Sequence, residues 1–309
     1  MVLKRLLPLF EQYAPKEITT AMHGQLEALD SLVNDSVRQS EDEWIQKGIT
    51  PEKQLATDQE HSLLEQIERA GTSGERDDLY FKLALLALNK NDLKAREYVS
   101  KIDESGFRKQ AQAWVDWGLA LGAVEKKKIE MALDLARSGE LSHIQRAWIL
   151  TQPAKLLIKT DRTKALSLLD DATAEVRRIE ITDSDRPRGL LAIANALELI
   201  EPSRAWETAF DAVKAANSAD GFTGEDGELT LSVSSKSLIS NKRDAVPDFD
   251  VNGIFGKLAD DDYDHAIQLA RGFQGEAPRI NATIAIARAV LIEKRPSLPI
   301  TTRPGSKNN

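Results

Sequence analysis

A spacing of residues that recurs along the chain constrains the fold more than any single residue does. Each occurrence is centred on an alanine, with an arginine eight residues before it and a basic residue ten residues after it. A second alanine directly follows the basic residue. The occurrences are Arg76, Ala84, Lys94 and Ala95; Arg146, Ala154, Lys164 and Ala165; and Arg186, Ala194, Arg204 and Ala205. A fixed frame of this kind predicts an array of helical repeats.

Each occurrence of the frame lies in a pattern typical of two helices joined by a short turn. In the first occurrence, apolar residues recur at three- and four-residue steps over 80–88, polar residues fill 89–92, and a second apolar stripe covers 95–102. This pattern predicts an antiparallel helical hairpin. A less regular unit begins at Arg108, and the units that start at Arg108 and Arg146 run 38 and 40 residues.

Over roughly residues 76–292 the chain resembles the tetratricopeptide-like (TPR-like) helical repeats. The resemblance is one of architecture, since only Trp114 and the pair Trp117-Gly118 match part of the family's own motif. It implies an all-α fold, a right-handed α-solenoid of TPR-like antiparallel helical hairpins.

Two segments are also similar to uncharacterised bacterial α-solenoid proteins. They are residues 6–15 and the closing apolar helix Ala282–Leu291. Those proteins tend to be longer and exported, so the resemblance implies that this chain is a carboxy-terminal portion of one. The resemblance implies the bacterial cytoplasm as the compartment. If the chain is a fragment of a longer precursor, it implies the periplasm or the exterior instead. The resemblance transfers no functional residue.

Changes in composition and periodicity predict five regions. They are an N-terminal helical segment at 1–70, TPR-like repeats at 71–216, a Gly/Ser-rich insertion at 217–257, a C-terminal helical cap at 258–294 and a disordered tail at 295–309. The tail contains three prolines, which suits a chain end without regular structure.

The insertion at 217–257 interrupts the helical pattern. Glu228–Ser234 alternates apolar and polar residues, the period of a half-buried strand, and Phe249 and Val251 alternate likewise. We expect an irregular segment with at most a short β-hairpin, laid against the array. Insertions in repeat proteins tend to lie on one face, often the binding face.

The recurring residues of the frame predict two kinds of contact. The paired alanines allow two helices to approach closely, because a methyl group adds little to the distance between helix axes. Each arginine either clamps successive units by donating to carbonyls at the end of the preceding hairpin, or forms part of a ladder that binds an extended acidic ligand. We favour the clamp, because the residue recurs once per unit like a packing element.

No motif predicts catalysis, a cofactor or a metal. The chain has no cysteine, and His23, His61, His143 and His265 lack the spacing that places two ligands on one helix face. The acidic run Asp260–Asp264 has neither the glycine nor the glutamate of a calcium loop, so we expect it to cap a helix. The sequence therefore predicts a protein that is not an enzyme.

Charge and hydropathy narrow the class of partner. The net charge is −8 and the densest basic run is only Lys126–Lys128, which argues against nucleic acid. No apolar run approaches the ~18 residues that span a bilayer, so we expect no membrane span. A protein or peptide remains as the partner, and the oligomeric state stays open.

We therefore predict a non-catalytic scaffold that binds a protein or peptide on the concave face of the array. Aromatic residues are the usual anchors of such faces, and the candidate partner-binding residues are Trp114, Trp117, Trp148 and Phe222.

Two alternatives remain open at this stage. In the first alternative, the chain is a structural or oligomerising segment of a longer exported protein. An exposed apolar seam at 1–30 would favour this alternative. Alternatively, it is an enzyme or glycan-binding protein with a site in the 217–257 insertion, beside Phe222, Glu225 and Asp226.

Overall fold

The computed structural model describes residues 11–30 and 52–293. The expectations for 1–10, for 31–51 and for the tail lie outside these residues. The chain divides into two compact units, the first ending at Glu68 and the second beginning at Arg69. Helix α1 is Lys16–Asp30 and lies in the first unit, and α2 is Glu52–Arg69, whose last residue is the first of the second unit.

The second unit is mostly helical and contains two strands. Its elements are α3 Ser73–Asn89, α4 Lys94–Ser100, α5 Ser105–Glu125, α6 Ile129–Ser138, α7 His143–Leu157, α8 Arg162–Arg177, α9 Asp185–Leu197, α10 Pro202–Ser218, β1 Glu228–Ser234, β2 Ile239–Ala245, α11 Val251–Asp261, α12 Tyr263–Arg271 and α13 Glu276–Glu293. A 3-10 turn, Pro247–Phe249, lies between β2 and α11.

The helices of the second unit pack as consecutive pairs. The pairs are α3/α4, α5/α6, α7/α8, α9/α10 and α11/α12, and each pair is joined by a short turn. The first helix of each pair, from α3 to α9, also packs against the first helix of the next pair, and α13 packs against α11 and α12. We call α3, α5, α7, α9 and α11 the first helices. This pattern confirms the predicted helical hairpins.

The alanines of the repeated frame lie where the helices meet. Ala84, Ala95, Ala154, Ala165, Ala194 and Ala205 have no exposed surface. Larger apolar side chains such as Phe81, Ile149 and Leu169 fill the space around them and are also fully buried. The frame alanines therefore lie in the packed interior, and the close approach of the helices at them stays a prediction.

The clamp predicted for the recurring arginines is present between successive hairpins. The contact is formed by Arg146 and Arg186 of the frame and by Arg108 of the less regular unit, and each of these guanidinium groups donates to a backbone carbonyl at the end of the preceding hairpin: Arg108 to Ile102 at 2.9 Å, Arg146 to Gly139 at 3.0 Å and Arg186 to Ile179 at 3.3 Å. These contacts place the first turn of one hairpin against the last turn of the hairpin before it. The positive guanidinium meets the negative end of the helix dipole there.

A non-helical segment, residues 219–250, separates α10 from α11; we call it the inserted segment. Its strands β1 and β2 pair antiparallel, from Glu228 opposite Ala245 to Ser234 opposite Ile239. The strand predicted at Glu228–Ser234 is thus confirmed to the residue.

The extended structure predicted from the alternation of Phe249 and Val251 was wrong. Pro247 opens a 3-10 turn that contains Phe249, and α11 begins at Val251, inside the predicted 217–257 insertion. Proline fixes φ near −65°, which favours a turn here over an extended strand. Both side chains are fully buried, which accounts for their alternation in the sequence.

Candidate protein-binding surfaces

The first surface is the row of first helices, and the inserted segment covers part of it. Strand β1 packs against α5, with Leu229, Leu231 and Val233 buried. These three side chains belong to the same apolar cluster as the cores of the first three hairpins. The alternate residues of β1 face outward, as the period of the strand requires.

Polar side chains at the start of the row hold the tip of the β-hairpin. The carboxylate of Asp78, on α3, accepts a hydrogen bond of 2.6 Å from the Ser235 hydroxyl and another from the Ser237 hydroxyl. On α5, the Gln110 carbonyl oxygen accepts from the backbone N–H of Ser234 at 2.8 Å. Two successive first helices therefore bind the same end of the hairpin.

Side chains from α5 and α9 bind the base of the hairpin. The indole N–H of Trp117 donates to the Asp244 carboxylate at 2.8 Å, and the Arg188 guanidinium donates to the backbone carbonyl of Glu228. The same guanidinium lies 5.0 Å from the centre of the Phe249 ring. Because Trp117 and Arg188 are buried, these bonds form in a largely dry environment, where they are stronger than at an open surface.

Asp248, in the 3-10 turn, receives the largest number of these contacts. Its Oδ2 atom accepts from Trp148 Nε1 at 3.2 Å, from Gln152 Nε2 at 3.1 Å and from Lys155 Nζ at 2.8 Å. Its Oδ1 atom accepts from Asn195 Nδ2. One carboxylate thus links the inserted segment to α7 and α9.

The environment of Asp248 favours its charged form. Burial raises the pKa of this carboxyl, but the Lys155 ammonium and the hydrogen bonds from Lys155, Gln152 and Trp148 outweigh burial, and the net pKa is lowered. The ammonium of Lys257, on α11, extends the network by donating to the Asn195 carbonyl oxygen at 2.5 Å. The ionised carboxylate is therefore a fixed anchor near neutral pH.

Asp250, two residues further on, has the opposite environment. Burial raises its pKa, the charges of Asp226 and Glu225 raise it further, and the backbone N–H of Gly227 and the charge of Arg188 only partly compensate. The Oδ1 atom of Asp250 is buried without a hydrogen-bond partner. The ionised form of this carboxyl therefore costs stability in the folded protein.

The carboxylate of Asp226, which was considered for a site in the insertion, binds groups of its own turn. Asp226 Oδ2 accepts from the Thr223 N–H at 2.9 Å, the Thr223 hydroxyl at 3.2 Å and the Gly224 N–H at 3.0 Å. This arrangement stabilises a turn in which Gly224 has a φ of 83°, a conformation that favours glycine. Among the described residues, no three or more His, Cys, Asp or Glu side chains are grouped to hold a metal ion.

The four aromatic residues predicted to bind a partner do not form one exposed surface. Trp117 is fully buried, its ring 5.4 Å from that of the partly buried Trp148. Trp114 and Phe222 are only 8% and 7% exposed, and Phe222 lies in a separate apolar cluster with α11 and α13. Trp117 and Trp148 are brought together beneath the inserted segment, and binding of a partner by any of the four stays a prediction.

Sequence reasoning missed the residues that hold the inserted segment. Asp248 lies 93 residues from Lys155 and 53 residues from Asn195, so no local pattern connects them. The only available signal was the proline before Asp248, which indicates a turn.

The second surface is the outer face of α13. Its apolar residues are Ala277, Ile280, Ile284, Ala287 and Leu291, which follow one another at steps of three and four residues. Ile280, Ile284 and Leu291 are 54%, 40% and 66% exposed, although the opposite side of the helix is buried against α11 and α12. We call these five residues the α13 seam. The predicted capping helix therefore covers the preceding hairpin but carries an apolar stripe of its own.

Comparison of the chain with protein-family models, with curated proteins and with solved structures gives no match. Within the described ranges, every helix is too short or too polar to cross a membrane.

Proposed function

We propose that this chain is a non-catalytic, TPR-like scaffold that binds an extended segment of another protein. In this proposal the hairpins form a right-handed α-solenoid and the first helices line its concave face. The observation that supports it is the convergence of side chains from four successive first helices, α3, α5, α7 and α9, on the inserted segment. The segment in that position is the chain's own residues 228–250.

The contacts made by the inserted segment indicate the chemistry of the partner. Strand β1 supplies three apolar residues at every second position, which are buried, and the rest of the segment supplies carboxylates at Asp244 and Asp248. The helices supply indole, amide and ammonium donors from Trp117, Trp148 and Lys155. A partner with alternating apolar residues and one or two carboxylates would satisfy the same groups, in competition with the inserted segment.

A peptide-exchange experiment tests the proposal. The probe is a fluorescent synthetic peptide with the sequence of residues 226–250, and binding is measured by fluorescence anisotropy. Asp248→Ala removes the carboxylate that accepts from α7 and α9, so the inserted segment detaches more often and the peptide can replace it. We expect saturable binding to Asp248→Ala and at least about ten-fold weaker binding to the unaltered protein, in line with a loss of 1–2 kcal/mol from the attached state.

Asp170→Ala is the matched control, because Asp170 forms an exposed ion pair with Arg204 away from the inserted segment. This variant should bind the peptide no better than the unaltered protein does.

A second arm selects random peptides on Asp248→Ala. The proposal requires selected sequences that alternate apolar residues, contain a carboxylate and are displaced by the 226–250 peptide. Failure of a folded Asp248→Ala protein to bind either probe would contradict it.

A further inference from the structure

The α13 seam has the spacing of a surface made to pair with another helix. Its steps of three, four, three and four residues are the a and d positions of two successive heptads. Over this length a straight helix drifts only about 20° per heptad from a 3.5-residue period, so all five side chains face one direction. A neighbouring helix can therefore contact the whole seam at once.

The place of α13 in the fold also leaves this face without a neighbour among the described residues. Each first helix from α3 to α9 is followed by another that packs against it, and α13 takes the next position after α11. An outer face that closes a helical array is normally polar. Here the outer face instead carries Ile280, Ile284 and Leu291, each at least 40% exposed.

The seam is complementary to a second copy of itself. In an antiparallel pair, Ile284 of one copy lies opposite Ala287 of the other, and Ile280 lies opposite Leu291, so apolar residues meet apolar residues at these four positions. No charged residue lies in the seam. One flank carries Asn281 and Arg288, and antiparallel pairing places the arginine of each copy opposite the asparagine of the other. Like charges are therefore not brought together.

We propose that two copies of this chain associate through their α13 seams in a symmetric, antiparallel helix pair. The surface concerned is separate from the row of first helices, so the inference does not depend on the proposed segment-binding function. One helix face is smaller than a standard interface of about 1,600 Å² in total, so the association is weak and reversible. We expect a dissociation constant between about 10 and 500 µM.

Sedimentation velocity over about 5–500 µM protein tests the association in that affinity range. The unaltered protein should shift from the monomer mass toward twice that mass as its concentration rises. Ile284→Lys and Leu291→Lys should each remain monomeric, or weaken the association at least about ten-fold. Ile239→Lys is the matched control, because Ile239 is 80% exposed on the β-hairpin and its loss should leave the association unchanged.

Each outcome decides the matter. A monomer at all concentrations overturns the inference, and an association that survives both α13 substitutions in folded protein places the contact elsewhere. Circular dichroism and the thermal midpoint establish whether the variants are folded. Because Ile284 and Leu291 are both exposed, unfolding of both variants would contradict the structure.

Disulfide trapping tests the antiparallel arrangement, because the natural chain has no cysteine. Asn281→Cys and Arg288→Cys should cross-link to each other when the two proteins are mixed, and each alone should cross-link much less. Cross-linking of Arg288→Cys mainly with itself, or no cross-link at concentrations where the dimer forms, would overturn the antiparallel pairing.

Discussion

The hairpins and the inserted segment are held in place by different kinds of contact. In the hairpins, similar contacts recur along the chain: fully buried alanines between helices and, at three of the hairpins, an arginine that donates to a carbonyl six or seven residues away. The inserted segment depends on a few polar side chains that meet across 40 to 159 residues of sequence. The hairpins thus rest mainly on contacts that are repeated, and the inserted segment on polar contacts that are not.

This difference has a consequence for how each region fails. A repeated contact is supported by its neighbours, so we expect its loss to lower the free energy of unfolding of the whole second unit. A contact of the inserted segment is not repeated, so its loss should release that segment while the helices stay folded. Substitutions in the two regions test this difference.

The largest effect is expected at Asp116, in the hairpins. This carboxylate has no exposed surface and accepts from Arg96 at 2.9 Å, from Gln112 at 2.8 Å and from the backbone N–H of Glu140 at 2.7 Å. Asp116→Ala leaves these donors unpaired in the interior, so the free energy of unfolding should fall by about 3 kcal/mol. Urea denaturation followed by circular dichroism measures the change.

Asp134→Ala is the control for this prediction, because Asp134 is exposed on α6. It should change the unfolding free energy by less than about 0.5 kcal/mol. Equal losses in the two variants would show that the buried carboxylate has no special role between hairpins.

The next effect is expected at Ala194, where α9 is tightly packed. The side chain is fully buried, so Ala194→Leu inserts three carbons into a filled space and should cost about 2 kcal/mol. Ala174→Leu, at an exposed position of α8, is matched in chemistry and should be close to neutral. Thermal unfolding of both variants measures the difference. Tolerance of leucine at 194 would mean that the alanine frame does not set the approach of the helices.

The parts of the fold that could be predicted from the sequence are those built from local, repeated contacts. The clamp at Arg146 was predictable because its acceptor, the carbonyl of Gly139, lies only seven residues away at the end of the preceding hairpin. Strand β1 was predictable because its buried leucines and valine alternate.

Other parts depend on tertiary contacts that the sequence pattern does not record. Gly253 and Gly256 lower helix propensity in α11, by about 1 kcal/mol each, and the sequence there resembles a loop. Burial of Ile254, Phe255 and Leu258 offsets that cost in the structure. The α13 helix was predicted, but its apolar residues lie on more than one side, so the pattern alone did not decide which side is exposed.

A smaller, local effect is expected at Asp248. Asp248→Ala should lower the free energy that holds residues 228–249 in place by about 1–2 kcal/mol, because it removes a charged acceptor from four donors. Hydrogen exchange should quicken in β1 and β2 and stay unchanged in α3–α6. Faster exchange throughout the hairpins would contradict the separation between the two regions.

The pH dependence of this effect follows from the lowered pKa of Asp248. A depressed folded-state pKa contributes stability that is present above the unfolded value of about 3.9 and is lost as the pH falls through the folded value. The difference between Asp248→Ala and the unaltered protein should therefore be constant from about pH 5 to 8. It should shrink below about pH 4.

The smallest effect, of opposite sign, is expected at Asp250. The folded-state pKa of this carboxyl is raised by burial, so the group destabilises the fold when ionised, and its contribution improves as the pH falls toward the folded value. Asp250→Asn removes the charge beside Asp226 and Glu225 and keeps an oxygen that can accept from Gly227. The variant should therefore have a higher thermal midpoint than the unaltered protein at pH 7, and this advantage should disappear below about pH 4. Asp220→Asn, at an exposed position, is the control and should leave the thermal midpoint at pH 7 unchanged. A lower midpoint for Asp250→Asn at pH 7 would mean that its carboxylate, like that of Asp248, is an anchor of the inserted segment.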